Sequence, residues 1–471
     1  MSTITVLGAG MNGLTTAMLL ARDGHRVTVL ERDPAPPPPP DQAWDRWGRS
    51  GIGQFRQPHF MLPRWREELE DVLPEVLDDL VAAGGIRVNP ILAAPEERRG
   101  PVRTGDERFE TVTGRRPVLE AVLAGAAART PGVSVRRGVA ADGFLAGTPT
   151  SPCVPHVAGV RTSDGEQIPA DLVVDCRGRR ARIQDWFPAI GACAPVEERE
   201  DAGFVYHARH FRSADGTVPP AMGPFLQHYA PFSTITLPAD TGTWSVGIIT
   251  SSADHPMRAL RDAATWQAVV ARCPLIAHWA AGPGIEPITG VDVMAGLEDR
   301  HRRPAIDGVP VVTGLVAVGD AWACTNPSLG RGASIGAAHA RLLQQVLREV
   351  DLTDADKVVR RFDDATAAGV EPIFRATLAF DRHRIAELEG ERTGRPYETD
   401  DRGWLLAKAV AAGAVADPDA LRLYGRLSLL LEPPESVFTD PDRVRRLLST
   451  DAPRYPLPGP SRADVLAAIG G

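Results

Sequence analysis

Residues 3–31 read TITVLGAGMNGLTTAMLLARDGHRVTVLE, and this stretch restricts the fold more than any other in the chain. Thr3 to Leu7 form a short apolar run suited to a buried parallel strand, and Gly8 permits the tight turn out of it. Gly10 leaves room for the backbone to approach a pyrophosphate, and Gly13 lets the following helix lie close on the strand. Met11 and Asn12 open that helix, where free N–H groups and the helix dipole favour an anion. Leu14, Ala17, Met18 and Ala21 recur at helical spacing, giving one buried face, and Gly24 ends the helix. Val27, Val29 and Leu30 make a second strand that delivers Glu31 to accept hydrogen bonds from ribose hydroxyls. The unit predicts a dinucleotide site. By itself it leaves FAD, NAD and NADP open; Arg32 would favour a 2′-phosphate, although an arginine just after a strand is more often a solvated charge.

A chain of 471 residues is long for one core and is expected to divide into two or three domains. Its 43% hydrophobic and 24% charged residues are those of an ordinary soluble protein, and a net charge of −8 argues against a nucleic-acid binder. Cys153, Cys176, Cys193, Cys273 and Cys324 show no metal-ligand spacing, so no metal is expected, and free thiols fit a reducing cytoplasm. No apolar run approaches the roughly 18 residues of a membrane span. A first strand at Thr3 is expected to leave no room for a signal peptide, giving a cytoplasmic expectation.

Pro34 to Pro40 predict an extended, solvated spacer. Pro63 opens a helical stretch that Pro74 interrupts, and residues 117–128 predict a helix with Pro in its first turn. Residues 133–135 and 171–174 read as strands. Between about 204 and 250, FVYHARHF, PFLQHY, FSTITLP and TWSVGIIT predict a largely antiparallel sheet. Residues 354–470 are helix-rich and Pro-punctuated, with no repeat.

Farther on, residues 310–318 predict a strand running into Gly319-Asp320, then Pro327-x-x-Gly330-x-Gly332 and a helix from Ala333 through Leu347. This is a second anion-favouring helix end. Asp320 is suited to a polyol, and the Gly-rich turn to the close approach of a flat, electron-rich ring. An extended FAD uses both ends.

Five motifs in this order resemble the single-component, group A flavoprotein monooxygenases with the p-hydroxybenzoate hydroxylase fold, and within them the bacterial polyether epoxidase branch. They are Gly8-Gly10-Gly13-Glu31, the segment from Arg49 to His59, Arg116-Pro-Val-Leu119, the segment from Asp171 to Gly178, and Gly319-Asp320 with Pro327 to Gly332. The resemblance covers roughly residues 3 to 350. It implies an α/β, Rossmann-like FAD-binding domain of the glutathione-reductase type, formed by residues 1–183 and 305–350. Residues 184–304 would then form an antiparallel β-sheet substrate domain, and 351–471 a C-terminal helical region. It further implies that Glu31 binds the adenosine ribose, Arg49 and Arg116 flank the phosphates and ribityl, Asp320 binds the ribityl, and Pro327 to Gly332, with Ala333, line the isoalloxazine.

The implied reaction is reduction of FAD, capture of O2 as a flavin C4a-hydroperoxide, and transfer of its distal oxygen to a hydrophobic metabolite of specialised metabolism by epoxidation or hydroxylation. Protein groups would supply position and exclude water, and no catalytic side chain is singled out. The family's middle motif carries Asp-Gly where this chain has Arg177-Gly178, and Ala181 stands at the usual later serine. Electrons are therefore expected from NAD(P)H or from a partner flavin reductase. The Trp-x-Trp-x-Ile-Pro stretch of flavin-dependent halogenases is absent. Substrate-facing candidates are Tyr206, His207, Arg209, Phe225, His228 and Tyr229, of which strand alternation admits about half. His59, beside Pro58, reads as structural; Trp322 and Cys324 are expected to pack beneath the ring. Two rivals share the scaffold: a reductase of the geranylgeranyl-reductase type, and a binding protein without flavin. The motifs leave the oligomeric state open.

Overall fold

The computed structural model describes residues 1–49, 51–149, 151, 154–449 and 454–470, so Ser50 and Cys153 lie outside the described residues. Its central sheet has five parallel strands, in the order Leu315–Ala317, Leu172–Asp175, Thr3–Leu7, Arg26–Glu31 and Val133–Arg137. These strands are short and apolar because both sheet faces are covered. On one face the helices Met11–Arg22, Arg116–Arg129 and Gly332–Glu349 bury Leu14, Met18, Leu119, Leu123 and Leu343 against Ile4 and Val6. On the other, a three-stranded antiparallel sheet (Ala141–Ala146, Val157–Thr162, Gln167–Pro169) buries Phe144 and Val160 against Leu7, Leu30 and Val173.

The expected antiparallel sheet is present. Its strands run Leu226–His228, Ser233–Pro238, Thr243–Ser251, Phe204–Ser213 and Ile285–Pro287, and Asp292–Met294 also pairs with Phe204–Ser213. Its back is sealed by Phe211, Trp244, Trp266 and Trp279.

The predicted strand over 310–318 is corrected. Val309–Pro310 pairs instead with Ala305–Ile306, and only Leu315–Ala317 joins the parallel sheet. Gly314, at φ +73°, turns the chain between the two pieces, a conformation that only glycine adopts freely. The proline at 74 divides the predicted helix cleanly into Pro63–Glu70 and Pro74–Ala82.

The helix-rich C-terminal part disperses over the molecule. Ala355–Gly369 packs on Gly332–Glu349, and Val465 of Arg462–Ile469 returns to the back of the antiparallel sheet. Glu371–Thr393, Arg402–Gly413 and Pro418–Ser428 all contribute to the wall of the main cavity. Among the described residues no helix is long and apolar enough to cross a membrane.

Candidate active site

A cavity of about 1930 Å³ opens at the carboxyl ends of the parallel strands and extends under the antiparallel sheet. A drug-sized ligand occupies a pocket of about 300–1,000 Å³. There is room here for two occupants.

Two helices begin on this cavity. At the first, Gly8 has φ +97°, and a Cβ on Gly13 would fall on the Gly8 carbonyl oxygen, so neither position admits a side chain without displacing backbone. A Cβ on Gly10 would meet nothing within 4 Å. The open approach at Gly10 and the closed one at Gly13 are the two roles the spacing predicts. Gly10 caps Met11–Arg22 with no side-chain hydrogen bond and no acid in the first turn, which leaves its N–H groups for a ligand. Gly332–Glu349 starts in the same uncapped way behind Arg331, after Gly330 at φ +65°. Gly8, Gly10, Met11, Asn12, Asp320, Pro327, Gly330, Gly332 and Ala333 all line the cavity. Asn12 also couples the two helix ends: a Cβ on Gly319 would meet its amide nitrogen, and one on Gly336 its amide oxygen.

A chain of buried charge supports the first end. Glu31 accepts hydrogen bonds from the Ala9 and Asp33 N–H groups, both at 3.0 Å, and pairs with Arg49. Arg49 also pairs with Glu120, which accepts from Arg116 Nε at 2.7 Å. Two cations thus alternate with two carboxylates. Burial works against the Arg49 charge, but Glu120 and Glu31 together raise its pKa. Arg116 Nη1 lies 3.4 Å from His59 Nε2, and burial together with the Arg116 charge pushes the His59 pKa down to about 3. His59 is neutral and lines the cavity. Arg49 and Arg116 line it too, but each is held by a carboxylate of the protein. Glu120 escaped the sequence reading, although its place four residues after Arg116 on one helix face was a signal. Arg32 is exposed at the cavity rim.

At the altered middle motif, fully buried Asp175 accepts from the Arg177 N–H at 3.1 Å and from its Nε at 2.9 Å. The Arg177 guanidinium lies 4.2 Å from the Trp186 ring centroid. Arg177 is thereby committed within the protein.

Strand parity sorts the substrate candidates. Tyr206, Phe225 and His228 line the cavity. His207 and Arg209 belong to the opposite face, where Trp266 Nε1 donates to the His207 carbonyl and the Arg209 guanidinium stacks on Phe211 and Trp266. Tyr229 is buried against Phe232, its hydroxyl donating to Gln227 Oε1. The structure does not bring these three to the cavity: His207 and Arg209 alternate with Tyr206 and so point to the opposite face, and Tyr229, just beyond Leu226–His228, turns into the core behind the sheet. His228 is held neutral by burial and by the Arg384 and Lys408 charges.

Behind the Pro327 turn lies a buried polar network. The Tyr206 hydroxyl donates to Asn326 Oδ1 at 2.6 Å, and Asn326 Nδ2 donates to Asp381 at 3.0 Å. Burial raises the Asp381 pKa to about 8, with a further push from Asp299, itself raised to about 6 by burial. Arg331 Nη1 donates to Thr377 Oγ1 at 3.0 Å, and desolvation lowers the Arg331 pKa to about 10. Trp322 and Cys324 do not line the cavity. Trp322 packs against His301, His339 and Phe374, and Cys324 is buried, its thiol pushed up to about 11 by desolvation. Trp322 ends the turn Gly319–Ala321, and Cys324 lies in the short strand Ala323–Cys324, which pairs with Glu298–Arg303. Among the described residues, no group of three His, Cys, Asp or Glu side chains is placed to hold a metal.

Residues 3–38 match the family model described as FAD dependent oxidoreductase. Protein Rv3254 of Mycobacterium tuberculosis is 27% identical over 393 residues, covering 78% of each chain. Among solved structures, PqsL, a probable FAD-dependent monooxygenase from Pseudomonas aeruginosa, matches 82% of this chain and 96% of its own at TM-score 0.58 and 14% identity. The flavin-dependent brominase Bmp2 matches 94% of this chain and 97% of its own at TM-score 0.61 and 14% identity. Residues 3–38 are therefore similar to an FAD dependent oxidoreductase segment, and the chain as a whole shares the fold of PqsL and Bmp2.

Proposed function

We propose that the protein is an FAD-dependent monooxygenase that inserts one oxygen atom of O2 into a hydrophobic small molecule, by epoxidation or hydroxylation. The observation that carries this reading is the single cavity onto which two uncapped, glycine-flanked helix ends open, with volume to spare beyond one ligand. When bound, FAD supplies the activation of O2, which no amino-acid side chain provides.

The residues present fit that cofactor. Glu31, which lines the cavity, would accept ribose hydroxyls, and the helix end at Gly10 to Gly13 would hold a pyrophosphate. Asp320 is suited to the ribityl hydroxyls. The helix end at Gly332, with Arg331 beside it, favours negative charge on the ring. Phe60, Phe225, Leu237 and Phe380 line the remaining space and would keep water from the reacting centre. Because Arg177 is tied to Asp175 and Trp186, it is not free to hold a nicotinamide cofactor, which favours a partner flavin reductase over direct use of NAD(P)H.

The test is incubation of purified protein with a lipophilic compound library, a flavin reductase system and isotopically labelled O2, followed by mass spectrometry. FAD in the purified protein and label in a product are expected. Absence of FAD, or hydrogen peroxide as the sole product, would overturn the reading. Anaerobic turnover would identify a reductase instead.

A further inference from the structure

Arginine supplies nearly all the positive charge of this chain. Of its 52 lysines and arginines, only Lys357 and Lys408 are lysine. Lys357 is exposed, whereas Lys408, on the helix Arg402–Gly413, lines the cavity.

The Lys408 ammonium lies 3.3 Å from Glu387 Oε1, with its Nζ 4.5 Å from the Tyr455 ring centroid and 5.6 Å from that of Trp404. Glu387 is buried and already engaged. Its Oε2 accepts from Arg384 Nη1 at 3.0 Å and from the Tyr455 hydroxyl at 3.1 Å, and Arg454 Nε lies 3.7 Å from Oε1. Three cations therefore share one carboxylate. Asp401, the other acid at this end, accepts from the Trp404 N–H at 2.8 Å and faces His383. Arg384 is used up by the Tyr229 and Phe232 carbonyls and the Ser233 hydroxyl. Lys408 is not. An ammonium has three N–H donors, and among the described residues Glu387 is the acceptor it meets. Desolvation depresses its pKa, with Arg384 and Arg454 adding to the fall and Glu387 opposing it.

The helix Glu371–Thr393 relates this end of the cavity to the other. Thr377 receives Arg331, at the start of Gly332–Glu349, and Glu387 stands ten residues on. At 1.5 Å per residue the separation is about 15 Å along the helix axis. Phe380 lies on the same helix between them and lines the cavity, as do Phe225 and Leu237 from the antiparallel sheet.

We infer that Lys408 is the anion-recognising residue of the substrate pocket, and that the substrate is an elongated apolar molecule ending in a carboxylate. The apolar body lies along Phe225, Leu237 and Phe380, and the carboxylate accepts hydrogen bonds from Lys408. A compact ammonium on a flexible stem suits a single carboxylate. This inference rests on the proposed oxygenase function, whose cofactor would occupy the other end of the cavity.

The test titrates full-length, FAD-loaded protein by calorimetry with matched pairs: decanoate and decanol, 4-phenylbutyrate and 4-phenylbutanol, 1-naphthaleneacetate and 1-naphthaleneethanol. In at least one pair the acid is expected to bind about tenfold or more tighter than the alcohol, the size of one charged hydrogen bond. Lys408→Met should abolish that preference and Lys408→Arg should retain part of it, with FAD content and melting temperature confirming that both fold. In the unmodified protein the preferred acid should shield Lys408, and not Lys357, from acetylation, as read by peptide mass spectrometry; this holds whether or not the variants fold. Equal binding of acids and alcohols, no saturable binding by any acid, a preference that survives in Lys408→Met, or unshielded Lys408 would each overturn the inference. Binding is read without turnover, so an intact acid preference without oxygen incorporation counts against the oxygenase reading alone. Incorporation with no acid preference counts against this inference alone.

Discussion

Glu120 holds Arg49 from the side opposite Glu31, so the acid at the end of the second strand is oriented by a residue on a helix 89 positions later in the chain. Glu120 is fully buried and pairs with Arg116 as well. Removing a partner from a buried ion pair leaves an uncompensated charge, a loss of about 3–5 kcal/mol. Glu120→Ala is expected to lose about that much in denaturant unfolding and to release flavin more readily. Glu120→Gln, which keeps an acceptor oxygen, should lose less.

Gly10 and Gly13 stand three residues apart and should respond in opposite ways. A methyl at Gly13 falls on the Gly8 carbonyl, so Gly13→Ala should lower the melting temperature and the flavin content together. At Gly10 it meets no protein atom within 4 Å. Gly10→Ala should therefore fold with an unchanged melting temperature in the flavin-free form, yet bind FAD weakly, because the methyl occupies the approach to the helix end. Flavin titration and thermal unfolding of both variants check the contrast.

The Asn12 key between Gly319 and Gly336 predicts a compensating pair. Gly336→Ala overpacks against the Asn12 amide and should lose about 1–3 kcal/mol of stability. In the Asn12→Ala background the same change should be nearly neutral. A double-mutant cycle measures the coupling, and additive effects would contradict the packing described.

Asp381 gives a pH dependence whose sign is fixed. Burial raises its pKa from 3.8 to about 8, so the folded chain holds a proton that the unfolded chain has lost across that window. The folded state then binds more protons than the unfolded, and stability falls as pH rises from about 4 to 8. Asp381→Asn should remove the fall above about pH 6 and halve it below, leaving the shorter fall of Asp299, whose pKa is about 6. Urea unfolding at a series of pH values reads the difference, which should be absent near pH 4 and fully developed near pH 8.

Local chemistry was the legible part of this sequence. The strand, glycines, helix and Glu31 of the first unit lie within thirty residues, and each glycine's task follows from its spacing. Pro74 and the first-turn proline at 117 marked helix boundaries for equally local reasons. Parity was not legible: nothing in FVYHARHF says whether Tyr206 or His207 faces the ligand, because both faces of this sheet are buried and neither presents a polar pattern. Residues 310–318 read as one strand because their apolar run hides the effect of Gly314. The partnership of Arg49 with Glu120 spans 71 positions, and the contribution of Arg402–Gly413 to the cavity depends on how the whole chain is wound. Such contacts are set by topology, which no local pattern encodes.

The helix Glu371–Thr393 is continuous over 23 residues and touches the Arg331 turn through Thr377 and the lysine end of the cavity through Glu387. A hydrogen-bonded helix does not stretch. If the proposed substrate is held by its carboxylate at Lys408 and oxidised at the other end of the cavity, regiochemistry becomes a matter of counting: the atom oxidised would be set by its distance from the anionic terminus. Homologous substrates of increasing chain length should then be oxygenated at the same number of bonds from the carboxylate, with the surplus length projecting beyond the oxidised position.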